Sequence, residues 1–164
     1  MIDNTILAKI NDQINKEMYS AYFYLSMSAF LESENLGGFA RWMRVQAAEE
    51  MEHAMKFYDY VYDRGGAVVL EAIEKPPSDF SSPLDIFEQV YAHEQKVTGL
   101  INALYELALE KNDYASQIFL HWFIDEQVEE EKNADAIVQR LKLVGDKVQG
   151  LLLLDRELGA RGGD

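Results

Sequence analysis

The chain of 164 residues has no cysteine, only three prolines, and 15 lysine and arginine residues against 29 aspartate and glutamate residues. The absence of cysteine excludes disulfides, thiolate metal sites and redox thiols. The formal net charge of −14 argues against nucleic acid and anionic membrane surfaces as partners, because both are bound through clustered Lys and Arg. The longest purely apolar run is about five residues, far short of a membrane span of about 20.

The beginning of the chain has neither the basic start nor the apolar stretch of a signal peptide. Together with the length, this predicts a single cytoplasmic domain over residues 1–164. The excess of negative charge favours proteins that gather cations, because such a field is focused at clefts and pores.

Apolar residues at spacings of three and four predict four long helices over 5–35, 38–64, 83–110 and 113–144, and a short fifth helix over 147–158. No alternation typical of strands competes with these patterns over comparable lengths. The apolar stripes of the long helices contain Leu7, Ile10, Ile14, Ala21, Tyr24 and Leu25; Phe39, Met43, Ala47, Ala54, Phe57 and Val61; Phe87, Val90, Val97, Ile101 and Leu104; and Leu120, Phe123, Ala134, Ile137 and Leu141.

The connections predict how these helices are arranged. About two residues join the first helix to the second and the third to the fourth, so each pair forms an antiparallel hairpin. The link from Gly65 to Ser82 can extend about 60 Å, which exceeds the roughly 40 Å length of a 27-residue helix. The sequence therefore predicts an all-α four-helix bundle with one long crossover. A weaker alternative lets Ala67 to Leu70 pair as a short strand with another chain.

Each of the four apolar stripes is interrupted by a carboxylate. These interruptions, with a histidine and an amide on the same faces, are Glu17, Glu50, His53, Glu94, Gln127 and Glu130. At 1.5 Å per residue they fall within about 9 Å along the bundle axis, which suits one shared site but does not decide the connectivity.

Four carboxylates in a bundle interior must be paired, protonated or bound to metal. No Lys or Arg lies on any of the stripes. Two divalent ions would balance the four negative charges, while His53 and Gln127 add neutral ligand atoms. Oxygen-rich ligation with one imidazole suits iron or manganese, so the sequence predicts a dinuclear metal site. A solvated helix face or helix-end carboxylates would explain one such residue, but not four at one level.

Four stretches resemble the non-haem ferritins of bacteria and archaea, and the resemblance covers essentially the whole chain. They are NKEMYSAYFYLSM around Glu17, RWMRVQAAEEMEHAMKF around Glu50 and His53, HEQKVT around Glu94, and FIDEQVEEE around Gln127 and Glu130. The resemblance implies a ferritin-like fold with a di-iron ferroxidase centre. The first iron would be held by Glu17, Glu50 and His53. The second would be held by Glu50, Glu94 and Glu130, with Gln127 close by and Tyr24 beside the centre.

The same resemblance implies a homo-oligomeric shell of 24 subunits that oxidises Fe(II) with dioxygen or peroxide and stores ferric mineral. It also implies a third iron site on the cavity side at Glu49, Glu126 and Glu129. As plain sequence, these three glutamates are equally typical of a solvated helix face.

Several alternatives are also compatible with the sequence. Met51 occupies the position of the haem-ligating methionine in bacterioferritins, but those proteins have a second Glu-x-x-His where this chain has Gln127 and Glu130, so haem is not expected. The DNA-protecting cage proteins fit worse, because this chain has no basic tail. A passive metal buffer and a di-iron oxygenase are further possibilities.

His93 and His121 are expected to be structural, and Trp122 to be a core or interface aromatic more than an electron donor.

A last apolar cluster follows the fourth helix. It consists of Leu151, Leu152, Leu153, Leu154 and Leu158. Adjacent helical residues are about 100° apart, so four consecutive leucines cannot share one face. The sequence predicts that some of them close an interface between subunits, although the segment could instead fold back on its own bundle.

Overall fold

The computed structural model describes residues 1–162, and all regular secondary structure in that part of the chain is helical. The helices are α1 (Asn4–Ser33), α2 (Gly37–Asp63), α3 (Pro83–Glu110), α4 (Tyr114–Val144) and α5 (Val148–Leu158). Their bounds lie within two residues of the predicted ranges, and the all-α fold class is confirmed. No helix in the described part is long and apolar enough to cross a membrane.

Local signals set the helix ends. Asp3, Ser82 and Asp113 each accept a hydrogen bond from a first-turn backbone N–H through the side chain, at the starts of α1, α3 and α4. Pro83 occupies the first turn of α3, where its missing N–H costs no hydrogen bond. Asparagines with φ of 58° and 52°, Asn35 and Asn112, form the corners of the two hairpins.

The two hairpins, α1–α2 and α3–α4, pack side by side into a bundle. The end of α2 is tied to the α3–α4 corner by Arg64, whose two terminal nitrogens bind the two carboxylate oxygens of Asp113 at 2.9 and 2.8 Å. This bidentate pair joins the hairpins at one end of the bundle.

The segment 65–82 is a long crossover that runs along α1. The Asn11 side chain donates to the carbonyl of Ala67, and the Ser26 hydroxyl donates to the carbonyl of Pro77. The residue numbers in the segment and in α1 increase together over about 22 Å of helix, so the segment runs parallel to α1. It thereby carries the chain from the end of α2 back to the other end of the bundle. The predicted crossover is confirmed, and residues 67–70 form no strand within the described chain.

The apolar core is divided into two halves by a polar layer. One half packs around Tyr24, Phe39 and Phe87, and the other around Ile10, Phe57 and Ile101. The six polar residues predicted to interrupt the stripes lie between these halves. One stripe assignment was wrong: Leu25 is 47% exposed, because its neighbour Tyr24 turns inward instead.

The short helix α5 folds back on its own bundle and also leaves leucines uncovered. Leu154 is buried in the core beside α2, whereas Leu152 and Leu153 are 54% and 68% exposed in the single chain. Asp155 accepts a hydrogen bond from the backbone N–H of Phe39 at 2.9 Å. The sequence predicts that some of these leucines meet another subunit, and Leu154 is not one of them, because it packs within its own subunit.

Candidate metal centre

Each long helix contributes at least one side chain to the polar layer. Glu17 comes from α1, Glu50 and His53 from α2, Glu94 from α3, and Gln127 and Glu130 from α4, and each is at most 5% exposed. Their positions follow from helical periodicity, because each replaces an apolar residue on an inward stripe. The six residues predicted for the centre are thus all brought into one buried layer.

One side of the layer is arranged as a metal site. Ligand atoms of Glu17, Glu50 and His53 lie within 4.8 Å of one another. The Nδ1 atom of His53 is 3.4 Å from a Glu50 oxygen. Glu17 accepts a hydrogen bond from Gln13 at 2.8 Å through one oxygen, but its other oxygen is buried and has no hydrogen-bond partner among residues 1–162. A buried carboxylate oxygen without a donor is rare, and a bound cation would satisfy it.

The other side of the layer is organised by neutral hydrogen-bond donors. The Tyr24 hydroxyl donates to one oxygen of Glu94, and the amide of Gln127 donates to the other at 3.2 Å. The amide of Gln46 donates to Glu130 at 2.7 Å. These bonds orient the two carboxylates without neutralising their charges.

Burial and mutual repulsion shift the acid–base equilibria of this layer. Burial first, and the Glu50 charge second, raise the pKa of Glu17 well above its usual range. Burial followed by the charges of Glu94 and Glu130 does the same to the pKa of Glu50. The pKa of Glu94 and that of Glu130 rise to about 7, with burial as the main cause. Without metal the layer retains protons, which a divalent ion would displace on binding.

Of the three glutamates predicted for a third metal site, only Glu126 lies in a three-ligand group within residues 1–162, whereas Glu49 and Glu129 do not. Glu126, whose side chain is 30% exposed, offers an oxygen 4.0 Å from Nε2 of His53 and groups with His53 and Glu130. Glu49 instead forms an ion pair with Arg161 at 2.5 Å. Glu129 is exposed and joins no three-ligand group within residues 1–162.

Two amides that support the layer were missed by the sequence analysis. Gln13 and Gln46 are buried, and each precedes a layer carboxylate, Glu17 or Glu50, by four residues. A polar residue one helical turn before a predicted ligand, on the same face, is the signal that could have identified both.

Two of the histidine and aromatic side chains singled out in the sequence, His93 and Trp122, contact residues of the centre, whereas His121 does not. His93 contacts Ser20 at 2.7 Å and packs against Tyr24, and His121 is exposed beside Tyr105. Trp122 is 40% exposed and stands edge-on to His53, with ring centroids 5.3 Å apart.

Comparisons with known proteins agree with this architecture. The family model described as "Ferritin-like domain" matches residues 7–144. A bacterial non-heme ferritin of Bacteroides fragilis is 43% identical over 98% of this chain and 100% of its own length. One from Staphylococcus aureus is 40% identical over 98% and 97%.

Solved structures give the same result at the level of the fold. An open pore ferritin from the archaeon Archaeoglobus fulgidus superposes with a TM-score of 0.97 at 50% identity, covering 98% of this chain and 99% of that one. A humanized archaeal ferritin has a TM-score of 0.97 at 48% identity and covers 98% of each chain. A helix-for-helix match at such identity leaves one conclusion: the chain belongs to the ferritin family.

Proposed function

We propose that the polar layer is the di-iron centre at which this ferritin oxidises Fe(II) before the iron is stored as ferric mineral. The observation that carries the proposal is the buried layer of four carboxylates around an unpartnered oxygen of Glu17. None of the buried residues among 1–162 is Lys or Arg, so the protein supplies no internal cation at this depth. Bound metal ions would supply the compensating positive charge, in place of the protons that the metal-free layer retains.

The grouping of Glu17, Glu50 and His53 supports the first position of this proposal, and the resemblance supplies the second. Glu17, Glu50 and His53 hold one Fe(II), and Glu50 bridges to a second that Glu94 and Glu130 complete. Gln127 lies beside the second position. Carboxylate oxygens with one imidazole suit iron, and four carboxylates balance two divalent ions.

The protein's part in the reaction is to bind and orient two Fe(II) ions and to exclude bulk water. Tyr24 holds Glu94 in place through a hydrogen bond, and burial raises the pKa of its own hydroxyl well above the usual range. Iron binding releases the protons that the carboxyls retain in the metal-free layer. The electrons pass from Fe(II) to dioxygen or peroxide, which arrives from solution.

Ligand replacement tests this assignment. His53→Ala removes the only imidazole of the centre, and Glu130→Ala removes one carboxylate. Either change is expected to slow Fe(II) oxidation at least about tenfold, equivalent to about 1.4 kcal/mol of barrier. Oxygen uptake after aerobic Fe(II) addition measures the rate and distinguishes a ferroxidase from a passive metal buffer.

His121→Ala is the matched control, because His121 is an exposed histidine outside the layer. It is expected to keep the parent rate. If the His53 and Glu130 variants also kept that rate, these residues would not be ligands of the centre.

We also propose a 24-subunit shell in the cytoplasm. Support comes from the near-complete superposition on solved ferritins and from the leucines that α5 leaves exposed on the single subunit. The mass of iron retained per particle, measured by size-exclusion chromatography with metal analysis, tests storage separately from oxidation.

A further inference from the structure

The segment after α5 places a cation next to the candidate centre. The carbonyl of Arg161 accepts a hydrogen bond from Arg41 at 3.2 Å, which fixes the backbone there. The Arg161 guanidinium lies 4.5 Å from the centre of the Trp42 ring. A cation held over an indole and tethered at its backbone is a defined position.

This guanidinium makes two contacts that lead to the metal ligands. One terminal nitrogen pairs with Glu49 at 2.5 Å, and the other donates to the side-chain carbonyl of Gln46 at 2.8 Å. Gln46 is fully buried, and its amide nitrogen donates to Glu130 at 2.7 Å and to Glu50 at 3.4 Å. Arg161 is therefore connected to two proposed iron ligands, Glu130 and Glu50, through the single side chain of Gln46.

The chemistry of arginine fixes the direction of these bonds. A guanidinium only donates hydrogen bonds, so the Gln46 carbonyl must face Arg161. The Gln46 amide group must then face the carboxylates, where its two hydrogens serve Glu130 and Glu50. Without the guanidinium, the amide could turn over and present its oxygen to the ligands.

Resting on the proposed function, we propose that Arg161 is a positioning residue of the iron centre and the counter-ion of Glu49 at the edge of the centre. Through Gln46 it holds Glu130 and Glu50 in the orientation that receives two Fe(II) ions. Its charge is paired with Glu49, one of the three glutamates that the resemblance places at a third iron site. In this proposal, a third iron bound there would compete with the guanidinium for Glu49.

Three variants separate the two roles. Arg161→Gln removes both the charge and the paired donors. Arg161→Lys keeps a positive charge beside Glu49 but replaces the two separate terminal nitrogens of the guanidinium with one ammonium nitrogen. Arg156→Gln is the matched control, because it makes the same charge change on an exposed residue of α5 with no ion pair or side-chain hydrogen bond among residues 1–162.

Two measurements are made on the assembled protein, with the shell verified by light scattering. Anaerobic calorimetric titration with Fe(II) gives the affinity for the third ion, and stopped-flow absorbance gives the initial rate for the first two. Arg161→Gln is expected to bind the third ion at least about threefold more tightly and to oxidise the first two at least about threefold more slowly. Arg161→Lys is expected to show only the slower oxidation, and Arg156→Gln neither change.

Each outcome decides one point. A third-ion affinity in Arg161→Gln equal to that of Arg156→Gln overturns the competition with iron. Equal oxidation rates in these two variants overturn the positioning role. If the unaltered protein does not bind or oxidise Fe(II), the proposed function itself is wrong. This result is distinguishable from the others, because it is seen in the parent protein before any variant is compared.

Discussion

Among residues 1–162, the hydrogen-bond donors to Glu94 and Glu130 are neutral side chains, Tyr24, Gln127 and Gln46. Neutral donors orient a carboxylate but do not offset the cost of burying its charge. In the metal-free protein, this cost is reduced by retained protons. The layer is consequently adapted to metal binding at the expense of metal-free stability.

The metal-free protein is expected to lose stability as pH rises from about 5 to about 8. The pKa of Glu130 is about 7 in the folded chain, above its ordinary value of 4.5. A raised carboxyl pKa stabilises the fold fully below the unfolded value, and that stability is lost as pH rises through the folded value. Burial lowers the pKa of His93 from 6.5 to about 4. This histidine therefore makes the fold more stable as pH rises towards about 6.5, which opposes the effect of Glu130 over that range.

Comparison with Glu130→Gln isolates the carboxyl contribution, because His93 is the same in both proteins. Denaturant unfolding in the presence of a chelator gives the free energy of unfolding across this pH range. The stability of the variant relative to the parent is expected to increase with pH. A difference that stayed constant from pH 5 to pH 8 would show that Glu130 does not retain its proton in the folded chain.

Helical periodicity decides which residues of the centre could be predicted from the sequence. Glu17 and Glu94 were predictable because they break regular apolar stripes, and such a break is visible without coordinates. Gln46 lies on a similar face and was overlooked. Arg161 could not be predicted, since it follows the last helix, where no periodic pattern says which side chains face the centre.

At the scale of helices, the docking of α5 depends on the close approach of two backbones. A Cβ atom at Gly38 would lie 1.7 Å from the carbonyl oxygen of Asp155, whereas one at Gly37 would meet no atom of residues 1–162 within 4 Å. Glycine at position 38 therefore allows α5 to contact the start of α2. This contact also sets where the following tail, with Arg161, can lie.

Gly38→Ala is expected to displace α5, because the backbone of Asp155 cannot yield at so short a distance. Hydrogen exchange of the α5 amides, followed by mass spectrometry, should become at least about tenfold faster, equivalent to about 1.4 kcal/mol of lost protection. Gly37→Ala is the neighbouring control and should leave exchange unchanged. Equal protection in the two variants would mean that α5 is not held by this contact.

The contact at Gly38 also separates the features of the helices that the sequence predicts from those that it does not. Helix lengths and the crossover follow from local signals such as Ser82 with Pro83, and these agreed with the structure within two residues. The direction of each leucine in α5 depends on how the helix is rotated against α2. That rotation comes from a tertiary contact at Gly38, which the spacing of leucines does not encode.

At the scale of the whole molecule, two apolar half-cores enclose the polar layer from both ends of the bundle. Each half-core includes residues from all four long helices, so the burial of hydrophobic surface fixes the helix register on both sides of the layer. This arrangement holds four mutually repelling carboxylates in place without requiring them to stabilise the fold. Function and stability are thereby assigned to different levels of the same bundle.

The exposed leucines of α5 lead to a prediction about assembly. Leu152→Lys combined with Leu153→Lys places two charges where the subunit surface is apolar and, in the proposed shell, covered by other copies. Burying unpaired charges is costly, so smaller assemblies with poor iron retention are expected. Light scattering measures the assembly, and circular dichroism should show the subunit helices retained, because neither leucine belongs to the subunit core.

Leu154→Lys is the contrasting variant, since Leu154 is only 3% exposed and packs within its own subunit. It is expected to lower the free energy of unfolding by about 2–5 kcal/mol, as for other losses of a buried leucine, with reduced helical signal on mild heating. If the double lysine variant kept an unchanged shell and unchanged iron retention, the exposed leucines would lie outside any interface. If it lost helical structure as Leu154→Lys does, they would belong to the subunit core, so assembly and folding are distinguished by one pair of variants.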